Sequence, residues 1–184
     1  MITMGCDIHP YLDFFRSNDE KDEPYVQSFG ALHISRDYAL FAIMAGVRNY
    51  DNALEPIAEP RGLPEHNSYV VNGDNTLYIT DRETDESGYT TRERAEKWVA
   101  SGSSKWVNEG QTRVTHPDWH SHSWLTTAEM EEVIRRYVAY YENHADTYYR
   151  GRKPAPEVYG IVGAMKGIEA DGKYTARLVY WFDN

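Results

Sequence analysis

Residues 118–130 read Asp118-Trp119-His120-Ser121-His122-Ser123-Trp124-Leu125-Thr126-Thr127-Ala128-Glu129-Met130, and the fold is read outward from them. Thr126 and Glu129 have the spacing of a capping box, in which each side chain satisfies a backbone N–H of the other's turn, so a helix begins directly after Trp124-Leu125. Met130, Val133, Ile134, Tyr137 and Tyr141 then recur at helical spacing, which predicts a long helix over about 126–149 with an apolar core stripe. The His-Ser-His-Ser segment reads as a loop emptying into that helix. Such a loop presents side chains and unpaired N–H groups to whatever lies above it.

The opening stretch repeats the same chemistry. In an extended segment successive side chains face opposite ways, so Asp7, His9, Tyr11 and Asp13 share one face of a first strand over 5–15, while Cys6, Ile8, Leu12 and Phe14 share the other. One face reads as core and the other as a site. Asp7, His9, Asp118 and His120 together supply two carboxylates and two imidazoles, enough to ligate a divalent metal or to move a proton, and they are the candidate catalytic and metal-binding set. Pro10 removes a donor from the strand, so a bulge or an edge is expected there.

The remaining elements follow from periodicity and turn chemistry. Tyr25 to Phe29 reads as a second strand after a charged turn from Ser17 to Glu23. Ser35 is a suitable cap for a helix over 36–47, with Leu40, Phe41, Met44 and Val47 on one stripe. The segment from Pro56 to Pro64 forms a stiff loop. Positions 68–80 read as an inserted hairpin, Tyr69-Val70-Val71 and Leu77-Tyr78-Ile79 around Asn72-Gly73. A second capping box, Thr90 to Glu93, opens a helix ending near Gly102, with Ala95, Trp98 and Val99 inward. Val158, Ile161, Val162, Met165 and Ile168 fit a further helical face, against which Gly160, Gly163 and Gly167 each weigh about 1 kcal/mol. Tyr174 to Phe182 is a strand rich in aromatic and β-branched residues. The expectation is a single α+β domain, a small mixed or antiparallel sheet with three or four helices packed on it.

Composition narrows the function. A chain of 184 residues with a formal charge of −10 lacks the basic stripe that phosphate-backbone binding requires, which argues against duplex nucleic acid as a partner. One cysteine cannot form an internal disulfide, and Cys6 in an apolar strand reads as a small core residue. No signal peptide and no run of spanning length is visible, so no membrane partner and a cytoplasmic location are expected. Fifteen Tyr and five Trp exceed the needs of a core this size, and some suit a pocket or an oligomer interface. Walker, GxGxxG, CxxC and HExxH signatures are absent.

GCDIH at 5–9, RDYALFAIMAGVRN at 36–49, EPRGLP at 59–64, DWHSHSWLTTAEM at 118–130 and the closing YWFDN together resemble an uncharacterised family of small proteins from bacteriophages and prophages. Its members tend to show GCDIH, RNYxLFxxLAxVRN, PRGLP and DxHSxSWLT in that order. This sequence has Asp37 where the family usually has Asn, and His122 where it usually has a small residue. The resemblance implies a viral accessory protein acting in the cytoplasm of an infected host cell, and it carries no activity with it.

Within those motifs three arginines stand out. Arg48 follows the first helix, Arg61 sits in the stiff loop within reach of acids such as Glu59, and Arg36 lies in the first turn, the unfavourable end of the dipole for a cation. Guanidinium groups make forked, charge-assisted contacts to phosphate or carboxylate. With Tyr38, Ser121, Ser123 and Trp124 they make up the candidate ligand-binding set for a small anionic, nucleotide-like molecule. Three functions remain open: a protein that sequesters such a ligand, for example a host defence signal; a metal-dependent hydrolase of it; and an adaptor that binds a host protein.

Overall fold

The computed structural model describes residues 5–17, 24–50, 53–83, 86–144 and 153–184. The fold is α+β, with one four-stranded and one three-stranded sheet. In the larger sheet β1 (Ile8–Arg16) lies between β2 (Gln27–Ala31) and β7 (Tyr174–Phe182), and β6 (His120–Thr126) pairs with the other side of β7, all antiparallel. The last strand is therefore central. Ala176, Leu178, Tyr180 and Phe182 point to one face of β7 and Val179 and Trp181 to the other, and all six are fully buried. A strand covered on both faces needs the near-continuous apolar run this segment carries.

On the Phe182 face pack α1 (Tyr38–Ala45), α4 (Thr127–Asn143) and α5 (Pro156–Glu169). The capping box at the start of α4 is present as expected, and its stripe buries Met130, Val133, Tyr137 and Tyr141; positions 145–149 of the expected helix lie outside the described residues. The cap of α1 is Asp37 rather than Ser35: its Oδ1 accepts from the Ala39 and Leu40 N–H groups at 2.9 and 3.2 Å. Arg36 consequently sits outside the helix, not in its first turn. In α5 the three glycines face open space, while Val158, Ile161, Val162 and Met165 are buried. Burial of four apolar side chains, each worth about 1.5–3 kcal/mol, outweighs a glycine cost of about 1 kcal/mol apiece.

The Trp181 face carries a second cluster of Tyr11, Val71, Val179 and Trp181. Here the expected hairpin is corrected. Residues Tyr69–Asp74 form a short helix, α2, followed by β3 (Thr76–Thr80). Ser68 caps α2 through Val71 N–H, and the Ser68 N–H itself donates to the buried Asp13 Oδ2 at 3.1 Å. Arg113 also donates to the Asn72 carbonyl. Those long-range contacts hold Asn72-Gly73 in a helical turn. β3 pairs parallel with β4 (Tyr89–Thr91) and antiparallel with β5 (Arg113–Thr115), and α3 (Arg92–Ser101) covers that sheet through Ala95. The α3 cap is Thr91, one residue beyond the one expected.

Pro10 fits the sheet as anticipated. Its carbonyl accepts from Leu32 N–H at 2.8 Å on the β2 side, so its missing donor falls on that side as well, and the β1–β2 register shifts between Tyr11 and Asp13. Among the described residues no helix is long and apolar enough to cross a membrane.

Candidate functional site

The two Asp/His motifs reach the same end of the larger sheet. Ile8 and His120 both stand opposite Phe182, one on each side of β7. Strand alternation then separates their side chains. His9 lies on the Trp181 face, its ring 5.5 Å from Trp119 and 6.0 Å from Trp181, with Nε2 3.1 Å from Asp183 Oδ2. His120 lies against Phe182 on the opposite face, with Nδ1 2.9 Å from Ser121 Oγ. Asp7 is exposed and gripped by Arg36 in a fork of 2.8 and 2.6 Å, which holds its carboxyl below the usual range. Asp118 is exposed, and its N–H donates to His116 Nδ1 at 3.3 Å. Among the described residues no group of three His, Cys, Asp or Glu side chains is placed to hold a metal ion. The metal set expected from the sequence is thus not assembled: His9 and His120 lie on opposite faces of the sheet, and Asp7 is taken up by Arg36.

Two of the arginines are occupied by structural pairs. Arg36 is spent on Asp7, and Gly5 makes that approach possible, since a Cβ at position 5 would lie 2.0 Å from a guanidinium nitrogen. Arg61 forks Glu129, not Glu59; it also donates to the Trp124 carbonyl at 3.2 Å and lies 4.8 Å from the Trp124 ring. Its N–H donates to Ser123 Oγ at 3.3 Å, and Gly62 N–H donates to the His122 carbonyl at 2.8 Å. Arg61, Ser123 and Trp124 therefore fasten the stiff loop over β6, the edge strand, and cover what would otherwise be an open template for pairing. The His-Ser-His-Ser segment is part of that strand and not the loop expected.

Arg48, His120 and Ser121 do meet. They line a cleft of about 590 Å³ at the end of the sheet, together with Asn49, Glu59 and Asn184. The chain leaves α1 through Gly46 at φ 70°, and Arg48 follows at φ 55°. Its guanidinium donates to Asn184 Oδ1 at 3.2 Å and lies 6.0 Å from the ring of Tyr38, which is half-buried. Burial pushes the nearby Cys6 thiol up, with Arg48 pulling the other way. Across the cleft Ser121 holds φ 51° where the β6–β7 register shifts between His120 and Ser123. His120 Nε2 is buried without a partner among the described residues. The left-handed region costs a non-glycine residue about 1–2 kcal/mol, and of the three non-glycine residues with positive φ among those described, two line this cleft. Strain of that kind gathers at ligand clamps and active sites.

Ser121→Gly tests the strain directly. Glycine removes a left-handed penalty of about 1–2 kcal/mol and adds unfolded-chain entropy of about 0.5–1 kcal/mol, so the variant is expected to match the parent or exceed it by up to about 1.5 kcal/mol in denaturant unfolding. A loss of stability instead would mean that the hydroxyl's bond to His120 outweighs the strain.

A second feature, not anticipated from the residue pattern, lies on the Trp181 face. Trp119 stacks on His116 with ring centroids 4.5 Å apart and lies 5.2 Å from Trp181, which also stacks with Tyr11 at 4.8 Å and His122 at 5.7 Å. His122 Nε2 is 2.7 Å from Asn75 Oδ1, and burial pushes its pKa down to about 4; burial also lowers that of His116. The alternation of His122 and Trp124, which face Trp181 and Val179, was the available signal. It shows only once the segment is read as a strand. No family model matches the chain, and no curated protein or solved structure matches it significantly.

Proposed function

We propose that the chain binds a small anionic ligand, phosphorylated or nucleotide-like, in the cleft between Arg48 and Ser121, and that as a viral accessory protein it sequesters such a molecule, a host defence signal being the case its resemblance to phage proteins suggests. The observation that carries this reading is the pair of strained residues facing one cleft beside a buried, unpartnered imidazole nitrogen. With Ser121 Oγ–H donating to His120 Nδ1, the proton of the neutral ring resides on Nε2, which then offers a desolvated donor to an anionic oxygen. Arg48 supplies the charge. Glu59 on the wall suits a ligand with one charged end over a dense polyanion.

The test is a thermal-shift screen with linear and cyclic nucleotides, with and without divalent metal, because a ligand at 100 times its dissociation constant stabilises the native state by about 2.7 kcal/mol. Arg48→Ala is expected to weaken binding roughly tenfold to a hundredfold, the worth of a lost charge-assisted hydrogen bond. Arg36→Ala and Arg61→Ala, whose guanidinium groups are committed to Asp7 and Glu129, are expected to leave affinity nearly unchanged. Recovery of intact ligand after denaturation means sequestration, and recovery of products means hydrolysis. An absence of any shift across the panel removes the anion reading and leaves the adaptor.

A further inference from the structure

On the other face of the larger sheet, a cleft of about 800 Å³ separates the Tyr11–Trp119 surface from β3, β4 and α3. Its walls carry the rings of Tyr69, Tyr78, Tyr89, Trp98, His116 and Trp119. Tyr69 is 84% exposed and Tyr89 47%, so large aromatic surfaces are left open to whatever enters. The charges at the rim are arranged with a bias. Asp74 accepts from Tyr11 O–H at 3.1 Å and has no ion pair among the described residues, and Glu86 lies further along the same wall. The cation on that wall, Arg94, is paired with Glu83 at 2.7 Å. His116 is held toward its neutral form by burial, so it adds little opposing charge.

Aromatic faces carry negative quadrupole potential, and a ring-lined cavity with carboxylates at its edge is the chemistry that recognises an ammonium group whose substituents cannot all be hydrated. The fold already makes one contact of this kind: the Arg113 guanidinium lies 4.7 Å from the centre of the Tyr78 ring. We propose that this cleft binds a small organic cation, an alkylated ammonium group seated among Tyr69, Tyr89 and Trp119 with Asp74 as its counter-charge. The site is separate from the anion cleft, because the two share no lining residue.

Choline is the direct probe, with 3,3-dimethylbutan-1-ol as its neutral isostere and adenosine as a flat uncharged control, each titrated calorimetrically into the whole chain. The expected result is that choline binds at least tenfold more tightly than the isostere. That preference should fall at least tenfold in Asp74→Asn, which keeps the shape of the α2 terminus, and in Tyr69→Ala, whose exposed ring can be removed with the melt unchanged. Equal binding of choline and the isostere would overturn the proposal in favour of an apolar cleft. Binding of adenosine with choline silent would overturn it in favour of ring stacking, and binding by none of the three would remove the site.

Discussion

Asp37→Ala is expected to lower the unfolding free energy by about 3–5 kcal/mol, from a cap worth about 1 kcal/mol and two charge-assisted hydrogen bonds worth about 1.5–3 kcal/mol each that do not add fully. One carboxylate does the work of several contacts. Its Oδ1 caps α1 through Ala39 and Leu40, while its Oδ2 accepts from Tyr137 O–H at 2.7 Å and from Tyr141 O–H. Tyr137 in turn accepts from Ala155 N–H at 3.4 Å, at the start of α5. Removing Asp37 would therefore take the acceptor from the Tyr137 hydroxyl in a core where that side chain is fully buried, and one acceptor from Tyr141. Burial, with Asp37 second, pushes the Tyr137 hydroxyl far above its ordinary pKa, so it stays a donor. Asn at this position keeps a capping oxygen and gives up the charge; about half the loss is expected for Asp37→Asn. Urea titration of both variants decides the matter. A loss below about 1 kcal/mol for the alanine variant would mean that the phenols find other partners, since an unpaired buried hydroxyl alone costs about 1–3 kcal/mol.

The parts of the fold that were legible in the sequence are those whose signals are local. Thr126 and Glu129 sit three residues apart and cap each other, so the start of α4 could be read to the residue. Thr90 and Thr91 offer the same hydroxyl one position apart, and only the backbone decides between them. α2 was hidden because Asn72-Gly73 has the composition of a tight turn. What overrides that composition is Asp13, 55 positions earlier, holding the Ser68 N–H. The ligand sets show the same limit. Residue type suggested that Asp7, His9, Asp118 and His120 act together, but the division of His9 and His120 between faces depends on where β1 and β6 fall against β7. Arg61 was legible as a staple, with the wrong acid named. Arg48 and Ser121 stand out in the sequence by charge and by motif. Their positive φ values, which single out the cleft, have no signature in a non-glycine sequence.

Stability is expected to fall steeply as pH drops from 6.5 toward 4, and His122 is the main cause. Its imidazole is pushed down to about 4 in the fold by burial and secondarily by His120. In the unfolded chain it takes its proton near 6.5. Between those two values the unfolded state binds more protons than the native one, so unfolding free energy rises with pH across the window and is complete above it. A shift of this size, discounted for partial solvent access, corresponds to roughly 2–3 kcal/mol at the acid end. His116, also lowered by burial, adds to the slope in the same direction. The carboxylates act lower down: Glu132, held near 2 by Arg135 and Arg136, and Glu129, lowered by Arg61, give up their share only below the ordinary carboxylate range. The physical cause is local, because Nε2–H of the neutral ring donates to Asn75 Oδ1 at 2.7 Å while its face lies against Trp181. A second proton would place a charge at Nδ1 in that partly desolvated contact. Gln at position 122 offers a donor to Asn75 and cannot titrate. Urea unfolding at a series of pH values should therefore give a shallower slope for His122→Gln between pH 6.5 and 4.5, with the remainder due to His116. Superimposable slopes for parent and variant would mean that the ring takes up its proton in the fold at the same pH as in the unfolded chain, and that burial does not hold it neutral.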